Sequence, residues 1–345
     1  MTVLVTGGAG YIGSHMVWSL IDAGEAVVVL DNLSTGFHWA LARKARFYEG
    51  DIADKLLLRT IFAENEVDAI IHFAGSVVVP ESVANPLSYY ENNTVKSQAL
   101  IAAAVEAEVR YFVFSSTAAV YGTQDGSARV DETAPLRPES PYGTSKLMTE
   151  MMLRDASRAY NFTYTALRYF NVAGADPRGR TGQSTVGATH LIKVATETAL
   201  GKRGSIEVYG TDYPTHDGTC VRDFIHVSDL TVAHLMALRR MREGGGSIVA
   251  NCGYGRGFSV LEVLNCVRTV SGYDFKVRYS GRRIGDAVSI VCNPAVALNE
   301  LGWIPKYDSL EFIVRTALSW EEQLNLRSIE GGREDHLADR NLGNV

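Results

Sequence analysis

A doubly wound, Rossmann-type α/β fold with a smaller mixed α/β lobe behind it is predicted by three features of this 345-residue sequence. The stretch Gly7-Gly8-Ala9-Gly10-Tyr11-Ile12-Gly13 lies between the apolar run Val3-Leu4-Val5 and a helical pattern from Ile12 to Ala23. Asp31 follows 24 residues after Gly7, at the end of a second apolar run, Ala26 to Leu30. Short apolar runs then alternate with helical patterns through the first half, as a parallel sheet requires. Strand, glycine turn, helix, strand, acid is the order of a dinucleotide-binding βαβ unit.

Each element has a physical reason. Gly7, Gly10 and Gly13 suit a tight turn whose backbone N–H groups approach a pyrophosphate and whose helix packs close to the strand. Asp31 is expected to accept the ribose hydroxyls of the adenosine half. After it come Asn32-Leu33-Ser34-Thr35-Gly36, with no Arg or Lys before Arg43. A carboxylate would repel the 2′-phosphate of NADP, so the pattern favours NAD. Further strands are expected over 46–52, 67–74, 111–115 and 164–169, and long helices over 86–107 and 142–160. The texture changes near Gly174. The domain reading is a dinucleotide-binding unit over 1–173, a substrate lobe over 174–326 with room for segments that cross back, and a mobile tail over 327–345.

Bulk properties exclude several classes. With 46% apolar and 21% charged residues the composition is that of an ordinary globular protein. A formal charge of −6 leaves no basic excess for general nucleic-acid binding. No apolar run reaches the ~18–20 residues of a membrane span. The first strand begins at once, so no signal peptide is expected. Cys220, Cys252, Cys266 and Cys292 are 32, 14 and 26 residues apart, which fits neither a C-x-x-C pair nor a zinc site. Reduced thiols, no metal and a cytoplasmic setting are expected.

The chemistry-bearing pair is Tyr142 and Lys146, four residues apart and so on one face of a helix. A nearby cation favours phenolate, which makes Tyr142 a candidate acid/base. The spacing alone is cheap in a chain with 16 Tyr, and a solvated helix pair competes with it. Position strengthens the reading. The pair follows the fifth strand, which ends in Ser115-Ser116-Thr117, and strand ends beside the crevice are where doubly wound sheets bind ligands. Thr117 could share a proton with Tyr142, or merely cap local backbone.

With these residues in view, the chain resembles the extended short-chain dehydrogenase/reductases, and among them the UDP-glucose 4-epimerase family. The resemblance covers roughly 1–320. It runs through Val5-Thr6-Gly7 to His15, Leu30-Asp31-Asn32-Leu33, Glu49-Gly50-Asp51-Ile52, Ile71-His72-Phe73-Ala74-Gly75 and Tyr89-Tyr90-Glu91-Asn92-Asn93. It continues through Phe114 to Gly122, Ser140 to Lys146, Leu167-Arg168-Tyr169-Phe170-Asn171, Gly210 to Thr215, Val221 to Val227 and Arg282 to Asp286. The resemblance implies Thr117, Tyr142 and Lys146 as the catalytic trio. It implies that the glycine turn with Tyr11, Ile12, Asp31, Asn32, Ser34, Thr35, Gly36, Asp51, Ile52, Phe73, Ala74, Gly75, Asn92 and Phe170 lines NAD, together with that trio. Asn171, His190, Leu191, Tyr209, Arg222, Arg283 and Asp286 would join Thr117 and Tyr142 in holding a UDP-hexose, the arginines on its diphosphate. Each arginine alone could equally be a surface ion pair.

The implied reaction is C4 oxidation of UDP-glucose or UDP-galactose, rotation of the keto sugar and re-reduction, in a homodimer paired through its long helices. A 4,6-dehydratase would need an acidic pair where Ala118-Ala119 stands. A UDP-pentose or UDP-glucuronate epimerase stays open, and a non-catalytic NAD sensor is a remote alternative. Three departures from the family pattern stand out. Thr117 replaces a common Ser, Ser76-Val77-Val78-Val79 replaces a stretch with a cofactor-side Lys, and Ile290 replaces a bulky Tyr beside the sugar. An aliphatic Ile290 would leave space for an acetamido group, so turnover of UDP-N-acetylhexosamines stays open as an alternative; purified protein inert toward both UDP-GlcNAc and UDP-GalNAc removes it.

Overall fold

The computed structural model describes residues 1–124, 129–283 and 287–341, with side chains described as far as Leu326. Its first half follows the expected alternation: β1 (Thr2–Thr6), α1 (Tyr11–Asp22), β2 (Ala26–Asp31), β3 (Arg46–Glu49), α2 (Lys55–Glu64) and β4 (Val67–His72). Short helices α3 (Val79–Ala84) and α4 (Pro86–Tyr89) lead through a π-helical turn, Tyr90–Val95, into α5 (Lys96–Glu106). Then come β5 (Tyr111–Thr117), α6 (Pro141–Ala159), β6 (Thr163–Tyr169) and β7 (Asn171–Ala173). The second half holds α7 (Leu191–Ala199), β8 (Ile206–Tyr209), β9 (Val221–His226), α8 (Val227–Arg242), β10 (Ile248–Cys252), β11 (Gly257–Ser259) and α9 (Val260–Ser271). It ends with β12 (Val277–Ser280), β13 (Ser289–Ile290), α10 (Ala295–Glu300) and α11 (Leu310–Asn341). The stretch read as a mobile tail, 327–345, lies outside the described side chains, and Asp286 lies outside the described residues.

The central sheet has seven parallel strands in the order β10-β6-β5-β4-β1-β2-β3. Alternation along β1 sends side chains to two cores. Val3 and Val5 pack with Met16, Leu20 and Leu230 of α1 and α8, while Leu4 packs with Leu58, Leu100 and Leu153 of α2, α5 and α6. The strand order reverses between β1 and β4, which opens a crevice at their carboxyl ends. Two segments meet there at close range. Gly7 has φ +71°, and a Cβ on it would stand 2.6 Å from the Ala74 nitrogen. Glycine is therefore required where the turn after β1 touches the exit of β4.

One difference from the sequence reading matters for the site. The helix expected over 86–107 is not uniform, because the π turn inserts an extra residue per turn at Tyr90–Val95 and carries Asn92 and Asn93. The sheet also draws a seventh strand from beyond residue 173. β10 pairs with β6 from Ile248↔Thr165 to Cys252↔Tyr169, and α8 lies beside α1 on one face. The rest of the second half forms a small sheet in which β9 pairs with β11, β13 and β7, and a two-stranded sheet of β8 and β12. Among the described residues no helix is long and apolar enough to cross a membrane.

Candidate active site

The crevice is built first by backbone. Helix α1 starts at Gly10, with no side-chain cap and no acid in its first turn, so its N-terminal positive end is left for an anionic ligand. Gly13 lets the helix approach the turn, since a Cβ there would come 2.0 Å from the Gly7 carbonyl oxygen. Asp31, at the end of β2, is buried; its two oxygens accept the Ala9 N–H at 2.9 Å and the Leu33 N–H at 2.8 Å. Burial raises its pKa, and those two N–H groups oppose the shift. Asp51 is held by Lys96 at 2.6 Å, and beside it Ile52 is buried. Asn32 accepts the Ser34 N–H at 3.1 Å, and Gly36 lies against Ala9, where a Cβ would come 2.8 Å from its carbonyl carbon. These groups fit the adenosine and pyrophosphate halves of a dinucleotide.

On the far side of the crevice the chemical groups converge at the ends of β5 and α6. Ser140 caps α6 by accepting the Gly143 N–H at 3.2 Å, and Pro141 occupies its first turn. That start places Tyr142 and Lys146 inward, 6% and 3% exposed, rather than on a solvated face. The Thr117 hydroxyl is hydrogen-bonded to Tyr142, and its oxygen also accepts the Ala119 N–H at 3.1 Å. Lys146 Nζ donates to the Ser115 carbonyl at 3.1 Å and stands 5.0 Å from the centre of the Phe114 ring. Gly75, with φ +153°, borders the same space, because a Cβ on it would be 3.7 Å from Lys146 Nζ. Phe73 packs its ring 4.9 Å from His234. Phe170 is buried among Ala118, Tyr121 and Leu147, with Ile290 half-buried against the same cluster.

Electrostatics differ in one respect from the sequence reading. Burial raises the Tyr142 pKa, and the Thr117 hydrogen bond only partly offsets this. Burial also lowers Lys146 to about 8, which leaves it protonated at neutral pH. In the protein alone, desolvation thus outweighs the cation for the phenol. A second positive charge is needed to bring Tyr142 down, and an oxidised nicotinamide ring carries one.

The remaining expected residues fall into groups. Asn171, His190 and Leu191 line one cleft of about 470 Å³ together with Tyr11, whose hydroxyl donates to the Gly174 carbonyl at 2.7 Å. Arg283 stacks on the Tyr209 ring at 3.6 Å. Arg222 lies on β9 and donates to the Val221 and Ala287 carbonyls at 2.9 and 2.8 Å. Neither Arg222, Tyr209 nor Arg283 borders the cleft of Asn171. Asn92 donates to Ser76 Oγ at 2.9 Å.

Sequence reasoning missed Asn93. Its side chain is buried, accepts the Ser76 N–H at 2.7 Å, and donates to the Ser76 carbonyl at 2.9 Å and to Ser145 Oγ at 3.1 Å. It ties the turn after β4 to the helix that bears Tyr142. The missed signal was the second of two adjacent asparagines. Glu150 and Arg168 were also missed. They form a buried pair, Arg168 Nε on Glu150 Oε1 at 3.0 Å and Nη2 on Oε2 at 2.6 Å, and Ser116 donates to the same carboxylate.

Comparison with known proteins agrees with this geometry. Residues 3–253 match the NAD dependent epimerase/dehydratase family. A UDP-glucose 4-epimerase from Azospirillum brasilense is 52% identical over 338 residues, covering 98% of this chain and 97% of the relative. A UDP-glucose 4-epimerase from Brucella ovis, solved in complex with NAD, superposes with a TM-score of 0.89 at 42% identity over 92% of this chain and 97% of that one. The UDP-Glc/GlcNAc 4-epimerase of Campylobacter jejuni has a TM-score of 0.81 at 47% identity, covering 93% and 99%. Matched over most of its length, the chain belongs to the NAD dependent epimerase/dehydratase family, among its UDP-glucose 4-epimerases.

Proposed function

We propose that the chain interconverts UDP-glucose and UDP-galactose by inverting the sugar's C4, with Tyr142 as the acid/base. It is an isomerase that depends on NAD. The observation that carries the mechanism is a buried phenol, hydrogen-bonded to Thr117 and one helical turn from a buried ammonium, at the ends of the strands that form the cofactor crevice. Bound NAD would supply the hydride chemistry at C4, out from one face of the sugar and back onto the other. Tyr142 Oη takes the proton of the 4-hydroxyl and gives it back after the transfer is reversed. Thr117 orients that hydroxyl by hydrogen bonding. Lys146 holds positive charge beside the phenol, fixed by the Ser115 carbonyl. Asn171, His190 and Leu191 would bind the nucleotide-sugar, and Arg222 and Arg283 its diphosphate, so that the 4-keto sugar can turn about that link. Gly7, Gly10, Gly13, Asp31 and the groups around them would seat the cofactor.

A homodimer is the proposed assembly. Val83, Leu87, Val95, Met148 and Met151 are all exposed, on α3, α4, the π turn and α6, which pack against one another. Adjacent exposed apolar side chains of this kind favour a partner surface.

Three outcomes follow. Tyr142→Phe keeps NAD but loses turnover of UDP-galactose by about a thousandfold, within the range of general acid–base effects; near-normal turnover overturns the assignment. Lys146→Met slows turnover by about a hundredfold or more without lowering the melting temperature at pH 7. The folded protein must bury an ammonium with a pKa near 8, whereas the unfolded chain holds its proton to 10.5. The unfolded state therefore binds more protons between those values, and wild-type stability rises with pH across that window. Melting curves from pH 7 to 10 should show any advantage of the variant shrinking upward. Finally, sedimentation should give a dimer for the wild type and a monomer for Met148→Glu/Met151→Glu; a monomeric wild type removes the proposed assembly.

A further inference from the structure

We propose that Trp39 and Trp320 form an aromatic clasp across the pyrophosphate turn and retain NAD between turnovers. The inference rests on the reading of that turn as the NAD site. An open depression lies on the N-terminus of α1, lined by Gly10, Tyr11, Ser14, Thr35, Trp39 and Ser184.

Contacts around this depression close into a ring. The loop after β2 returns to the glycine turn, where the Phe37 N–H donates to the Ala9 carbonyl at 3.1 Å. Phe37 stacks on Trp39, rings 5.2 Å apart and 29° from parallel. Trp39 then meets Trp320 of α11, 6.1 Å away at 32°. Trp320 is 2% exposed, and its indole Nε1–H donates to Ser184 Oγ at 3.1 Å. Its ring rests on Gly182, where a Cβ would come 2.3 Å from Trp320 Cγ. The circuit ends where Thr181 and Ser14 share a hydroxyl hydrogen bond of 2.7 Å, back on α1.

Three distant parts of the chain thus surround one point of the glycine turn. A pyrophosphate seated on that turn would lie beside Trp39, whose contact with Trp320 ties this wall to α11. Trp320 is buried against Ser184 and Gly182, while Trp39, in the short 3-10 turn His38–Ala40, is 43% exposed. Retention serves this reaction, which restores its cofactor in every cycle and gains nothing from releasing it.

The test measures dissociation of NAD from purified holoprotein, by passing wild type, Trp39→Ala and Trp39→Phe through a desalting column and by following NAD release into an enzymatic trap. Trp39→Ala should lose NAD about tenfold faster, the scale of one lost aromatic stack with its cover, and Trp39→Phe should lie between. Activity of Trp39→Ala should then fall on dilution and return with added NAD. Ser184→Ala, which loosens Trp320 from the opposite side, should also speed release and carries the test if Trp39→Ala does not fold. Release at the wild-type rate from the folded variants overturns the clasp while leaving the NAD site intact. A wild type that binds no NAD at all overturns both.

Discussion

The position of α6 is the constraint on which the site depends, and a buried ion pair sets it. Glu150 lies one turn beyond Lys146 and takes both arms of the Arg168 guanidinium from β6, while Ser116 of β5 donates to the same carboxylate. Arg168 also reaches the Tyr121 hydroxyl at 3.0 Å, which donates to Asn251 of β10 at 2.7 Å. One helix is thereby indexed against three strands. Such a pair adds little net stability, because desolvating two charges offsets their attraction, but breaking it strands a charge in the interior. Its role is register. A shift of α6 by one residue would turn Tyr142 and Lys146 away from Thr117.

Within that frame, burial works in opposite directions on the two proposed catalytic groups. Removing water disfavours the charged form of each, so the phenol rises and the ammonium falls. The site without its cofactor is accordingly poised with a neutral Tyr142 and a charged Lys146. An added positive charge beside Tyr142 favours its ionised form, so an oxidised cofactor bound there would draw the phenol back down.

Much of this was legible in the amino-acid order. Glycines at 7, 10 and 13, followed by Asp31, specify a turn with little freedom, and the apolar runs of β1, β2, β4 and β5 are long enough to read as strands. Tyr142 and Lys146 could be set on one helix face because a four-residue spacing is fixed by helical geometry, and the structure buries both. What escaped was set by tertiary contact. A π turn at Tyr90–Val95 has no compositional mark, since one extra residue per turn leaves the same side chains in the same order. Ser247 to Cys252 is short and follows three glycines, so its apolar pattern hardly stands out from a loop. The sign of the Tyr142 shift depends on how much water is excluded, which spacing does not report.

The seventh strand of the central sheet has a consequence for how the chain can be divided. β10 covers the edge of β6, and α8 supplies Leu230, Ala233 and Leu238 to the core shared with α1. A fragment cut after Ala173 would bare the row of amides on β6 and strip one helix from the face of β1. The two halves are interlocked by threading, not joined like beads. Any graft that exchanges the second half for another must therefore keep Val227–Cys252 with the first half, or supply an equivalent helix and strand.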